Sequence, residues 1–141
     1  MNKDNFSDYT GCGAIIFRQE DEKVFIAQRK ITKSFGGGLW ETIGGGIEKE
    51  DKNLLSCIKR EIKEELNVEI KSAQEFKDYE ITTKEGGKYL IKTFLIELDS
   101  DPDPNKNDFE NYGWFNKEEI EKFTFVSNCK ERLKEYFSIN K

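Results

Sequence analysis

Three consecutive glycines, Gly44-Gly45-Gly46, followed by Ile47-Glu48 and a polar run from Lys49 to Asn53, lead into the strongly periodic segment Leu54 to Val68. Leu55, Ile58, Ile62 and Leu66 recur there at three- and four-residue steps and so share one face of a helix. A glycine-tight turn feeding an amphipathic helix is expected. The same winding, about 100° per residue, puts Glu61, Glu64 and Glu65 within an arc of about 100° beside the apolar stripe. Like charges three or four residues apart destabilise a helix by a few tenths of a kcal/mol per pair, and Arg60 and Lys63 offset part of that. A divalent cation would offset the rest, because Mg²⁺ takes oxygen ligands from carboxylates, water and substrate phosphate. The alternative is a solvated face laced with salt bridges, common in a chain with 36% charged residues.

A length of 141 residues is most simply one domain, 1–141, large enough to bury a core without disulfide or metal staples. Only 35% of the residues are hydrophobic, but 13% are aromatic, which supplies bulky core material and argues against disorder. A net charge of −5 disfavours binding to a nucleic-acid polymer, whose backbone is held by clustered Lys and Arg. Small phosphorylated substrates remain open, since a bound cation can supply positive charge locally. With no histidine, imidazole bases, Ser-His-Asp chemistry and most zinc sites are excluded. Cys12, Cys57 and Cys129 are odd in number and lack Cys-x-x-Cys spacing, so they imply neither a disulfide framework nor structural zinc. The amino terminus is polar and no apolar run is long enough to cross a bilayer; no membrane contact and a cytoplasmic address are the expectation.

Along the chain, Met1 to Tyr9 reads as a polar arm. Thr10 to Phe17 and Val24 to Arg29 read as a strand hairpin turned by Gln19 to Glu22. Lys30 to Leu39, with Gly36-Gly37-Gly38, is a connector that lacks the Gly-Lys-Ser/Thr ending of a nucleotide P-loop. Glu69 to Thr83 is long for one strand, so two extended pieces or a bend near Gln74 to Asp78 are expected. A glycine hairpin turn, Thr83 to Lys88, then precedes Tyr89 to Leu98, whose continuous apolar character implies burial on both faces, as in a sheet between helices. Asp99 to Asp108 holds both prolines and reads as a solvated loop. A short strand, Phe109 to Phe115, a short helix, Lys117 to Lys122, and an amphipathic helix, Cys129 to Phe137 with Leu133, Tyr136 and Phe137 inward, complete the reading.

Arg60-Glu61-Ile62-Lys63-Glu64-Glu65-Leu66-Asn67-Val68 resembles the second half of the Nudix box, Gly-x5-Glu-x7-Arg-Glu-U-x-Glu-Glu-x-Gly-U, with U a bulky aliphatic residue. The mismatch is Asn67 in place of the last glycine; Asn is the next-best occupant of a left-handed helix terminus. In the first half two registers are open. Gly46 with Lys52 at the first acidic position keeps the motif's spacing, whereas Gly45 with Asp51 inserts one residue before the helix and also places Glu48. The second is preferred, because loop insertions cost less than lost carboxylates. The resemblance extends to the opening hairpin ending Ala27-Gln28-Arg29, to Trp40 ahead of the glycine run, and to Glu110 followed by Trp114-Phe115.

That resemblance implies a Nudix α/β/α sandwich, a mixed central sheet flanked by the box helix and a carboxy-terminal helix. It also implies Mg²⁺-dependent hydrolysis of a nucleoside diphosphate linked to another group, with Mn²⁺ as a substitute metal and homodimers common among relatives. Glu61, Glu64 and Glu65 would be metal ligands, joined by the Gly45 carbonyl. Arg60 would hold Glu48 or Asp51, and the general base is open among Glu61, Glu64 and Glu110. Gln28, Arg29 and Trp40 would lie at the substrate cleft. Size and order resemble MutT-like enzymes that convert a nucleoside triphosphate, oxidised or not, to monophosphate and pyrophosphate. The alternatives are a nucleotide-sugar or ADP-ribose pyrophosphatase and a non-catalytic nucleotide sensor.

Overall fold

The glycine run forms a strand where a turn is expected. In the computed structural model, which describes residues 6–83 and 85–139, Ile43–Gly46 is strand β4. It lies antiparallel to β1, Gly11–Arg18, with Cys12 opposite Gly45 and Gly13 opposite Gly44. Glycine is needed because the two backbones and a neighbouring helix come too close for side chains. A Cβ on Gly44 would lie 2.5 Å from the Cys12 carbonyl oxygen, and one on Gly11 would lie 2.4 Å from that of Gly45. Gly44→Ala must therefore push β1 and β4 apart; a loss of about 1–3 kcal/mol is expected, measurable as an earlier urea midpoint. The turn itself is the polar stretch 47–53, where the Asp51 N–H donates to the Glu48 carbonyl.

The box helix, α1, runs Leu54–Leu66. It starts on a capping box in which Asn53 accepts from the Ser56 N–H while the Ser56 hydroxyl accepts from the Asn53 N–H. It ends at Asn67, whose φ of 53° is the left-handed conformation expected there. Its buried face is Leu54, Cys57, Ile58, Glu61, Ile62 and Leu66. Leu55, placed on that face by the sequence, is 38% exposed; the apolar stripe begins one residue earlier.

The sheet runs β3-β2-β1-β6-β5, with β4 also on β1 and β7 on β2. β2 is Lys23–Arg29, β3 Trp40–Glu41, β5 Ile70–Thr82, β6 Lys88–Leu98 and β7 Phe109–Phe115. β1 and β6 are parallel, Gly11 opposite Ile91, while the other pairs are antiparallel, so the sheet is mixed. β5 is one strand with register shifts after Ile70 and after Glu75, the second falling where the bend is expected. β6 buries both faces: Phe94 and Ile96 pack with α1, Leu95 with the opposite layer. That layer is α2, Lys117–Ile120, and α3, Cys129–Ile139, which contribute Ile120, Leu133, Tyr136 and Phe137. The result is the α/β/α sandwich implied by the sequence. Of the expected arm Met1 to Tyr9, residues 1–5 lie outside the described residues, as does Lys84 of the hairpin turn, whereas Phe6–Asp8 is a turn of 3-10 helix, and Phe6 and Tyr9 pack against the core. Among the described residues no helix is long and apolar enough to cross a membrane.

Candidate active site

Arg60 organises the box. Its Nε and Nη2 donate to the two carboxylate oxygens of Asp51, each at 2.9 Å, its Nη2 also reaches the Gly46 carbonyl at 2.8 Å, and its Nη1 reaches Glu61 at 3.0 Å and Glu64 at 3.2 Å. The Asp51 side chain is 2% exposed, and the bidentate guanidinium holds its carboxyl below the usual aspartate range. Glu48 is a looser partner at 3.6 Å and Lys52 is exposed. The acid that Arg60 grips is therefore Asp51, the register with one inserted residue. The same arginine ties the 47–53 turn to α1.

Glu61 points from α1 onto β4. It is buried, and its carboxylate fills the space a Gly45 side chain would occupy, with Oε2 2.3 Å from an added Cβ. Burial raises its pKa against the pull of Arg60. Glu65, one turn on, is raised further, first by burial and then by repulsion from Glu61 and Glu41. Glu64 is 56% exposed and turned to Arg60. Among the described residues no three acidic side chains converge as a ready metal cage. Their chemistry nonetheless fits one: the donors are all oxygen, and two are carboxylates, Glu61 buried and Glu65 half-buried, whose raised pKa values a hard divalent cation would lower. Of the glycine carbonyls, that of Gly46 faces Arg60, while that of Gly45 lies over Gly11.

Beyond β4 opens a cavity of about 980 Å³, bordered by Phe35, Glu41, Gly45, Tyr89, Ile91 and Arg132. Glu41 was not singled out from the sequence. It sits on β3 opposite Ala27, pairs with Arg29 at 3.2 Å, and has a carboxyl pKa raised by burial. Strand alternation was the available signal, since Trp40 and Glu41 must face opposite sides. Arg29 also donates to the Phe35 carbonyl, and Gln28 donates to the Gly38 carbonyl. Both brace the glycine-rich connector beside the cavity without being among its lining residues. Trp40 packs into an aromatic group with Phe115 and Phe123. Glu110 is about half-exposed and lies 4.0 Å from Lys30.

Comparison with known proteins gives concordant results. The family model described as NUDIX domain matches residues 10–136. An RNA pyrophosphohydrolase of Bartonella clarridgeiae is 25% identical over 79% of this chain and 79% of its own. A MutT NUDIX hydrolase structure from Burkholderia pseudomallei superposes with a TM-score of 0.65 at 24% identity, covering 74% of this chain and 80% of that one. The NUDIX domain of Shewanella oneidensis NrtR, solved in complex with ADP ribose, gives a TM-score of 0.74 at 16% identity, covering 96% and 94%.

Proposed function

We infer the activity from the premise that the chain belongs to the NUDIX domain family. It is a hydrolase acting on phosphoanhydrides. The finer reading is a Mg²⁺- or Mn²⁺-dependent enzyme that converts a nucleoside triphosphate to its monophosphate and pyrophosphate. The observation that carries it is the Glu61 carboxylate packed against Gly45 and bonded to the Arg60–Asp51 pair, where Gly45 itself lines a cavity large enough for a nucleotide.

Glu61, Glu64 and Glu65 would hold the cation, which when bound would neutralise phosphate oxygens and acidify water. Glu64, the solvent-facing member of the set, is the candidate general base; it turns away from Arg60 to take the proton from water as the new P–O bond forms. The bridging P–O bond then breaks and pyrophosphate leaves. Arg60 keeps Glu61 and the 47–53 turn in place and does not touch the substrate. Glu41, paired with Arg29 behind it, sets the charge at the cavity wall.

The name of the Bartonella relative supports a second substrate, the triphosphate end of an RNA, which carries the same phosphoanhydride chemistry. The test is product release from nucleoside triphosphates (oxidised purines included), nucleotide sugars, ADP-ribose and a 5′-triphosphorylated oligoribonucleotide, each with Mg²⁺, Mn²⁺ or EDTA. Metal-dependent pyrophosphate release from a triphosphate is the expected result. Turnover restricted to a sugar diphosphate would replace the substrate, and silence of the folded protein across the panel would replace hydrolysis with nucleotide sensing.

A further inference from the structure

Arg132 is a buried cation that its own surroundings leave poorly matched. It is 7% exposed, on the inward face of α3. Among the described residues its contacts are the Thr93 hydroxyl at 3.5 Å, the Cys129 sulfur at 3.2 Å and the Tyr79 ring, whose centroid lies 5.8 Å from the guanidinium carbon, and its Nε has no hydrogen-bond partner. None of these neighbours is an anion. A guanidinium taken out of water needs strong acceptors, and these are weak ones. The strands also make room for it: an added Cβ on Gly13 would come within 2.7 Å of Nη1. Arg132 borders the cavity, whose other walls on this side include Phe35, Tyr89, Ile91 and Val126. An apolar, partly aromatic slot with a single two-pronged donor suits a flat ring that presents two neighbouring acceptors.

We propose that Arg132 is the base-reading residue of this chain and selects a nucleobase carrying a carbonyl oxygen beside an unprotonated ring nitrogen, as guanine and cytosine do, over adenine. A guanidinium donates to such a pair in bidentate fashion. Adenine offers an amino group where the oxygen would be, so donor meets donor. The proposal rests on the nucleotide-hydrolase reading for its substrate, but it concerns binding and is testable without turnover.

The experiment measures thermal shift and dissociation constants for GMP, CMP and AMP in EDTA, using the intact chain and its Arg132→Met and Arg132→Lys variants. The unmodified protein is expected to bind GMP or CMP roughly ten- to a hundred-fold more tightly than AMP, and the two arms separate the purine from the pyrimidine source. Arg132→Met is expected to bring that ratio near unity with AMP affinity little changed, and Arg132→Lys, which keeps charge but loses the fork, to fall between. A packing role alone would weaken all three nucleotides together. Equal binding of the three by the unmodified protein, an unchanged ratio in a folded variant, or a pyrophosphate-induced shift that Arg132→Met removes would each overturn the proposal. If base preference is present in EDTA while no triphosphate is hydrolysed with metal, hydrolysis fails and base reading stands.

Discussion

Glu64→Gln and Glu65→Gln are each expected to lower kcat on the order of 10²-fold or more while leaving the chain folded. The two should differ in how they fail. Glu65→Gln removes a half-buried proposed ligand, so the half-saturating Mg²⁺ concentration should rise. Glu64→Gln removes the proposed base and one exposed oxygen, so the loss should appear mainly in kcat. Near-normal rates in both variants would sink the assignment. Stability in EDTA gives an independent readout. A carboxyl held above its ordinary value, as Glu65 is, keeps its proton in the folded state where the unfolded chain has released it. Its contribution is fully present below the ordinary glutamate pKa of 4.5 and is lost as pH rises through the elevated folded value. Glutamine carries no charge at any pH. Metal-free Glu65→Gln should thus melt at or above the unmodified protein at pH 8, with a shallower decline from acid to alkaline pH.

Arg60→Met is expected to cost about 3–5 kcal/mol at neutral pH, because it strands the buried Asp51 carboxylate. In a domain of this size the melting temperature should fall by on the order of 10 °C or more. Asp51 has a depressed pKa, so the stabilisation exists above the ordinary aspartate value of 3.8 and disappears as pH falls through the folded value. The gap between variant and unmodified protein should therefore narrow in acid. Adding Asp51→Asn should recover part of the loss, as expected when the penalty comes from an orphaned charge rather than from the missing pair. A loss under 1 kcal/mol would mean that the turn is held by its backbone alone.

Side-chain periodicity made α1, the carboxylate edge and the paired-face burial of β6 legible, because each rests on residues that differ in polarity from their neighbours. The phase of α1 slipped from Leu54 to Leu55 since two adjacent leucines fit the pattern equally well. β4 was illegible for the opposite reason: Gly44, Gly45 and Gly46 have no side chains to alternate, and tight turns share their composition. What identifies them as strand is the spatial approach of Cys12 and Glu61. Glu41 and Arg132 were passed over because an isolated charge reads as surface. For Arg132 the pattern held a hint, as Cys129 and Tyr136 sit three residues before and four after it and both are buried.

The parallel pairing of β1 with β6, Gly11 opposite Ile91, has a bearing on how the molecule comes together. The hairpin of β1 and β2, β4 and α1 all lie in the amino-terminal half, and their mutual contacts close comparatively short loops. Joining β6 to β1 closes a far longer one, and the entropy of that closure is met before its contacts form. During synthesis the carboxylate edge, Arg60 and the glycine strand thus emerge as a unit ahead of β6 and α3, which complete the cavity. The acidic half of the candidate site is older, on the folding clock, than the wall that would recognise the substrate.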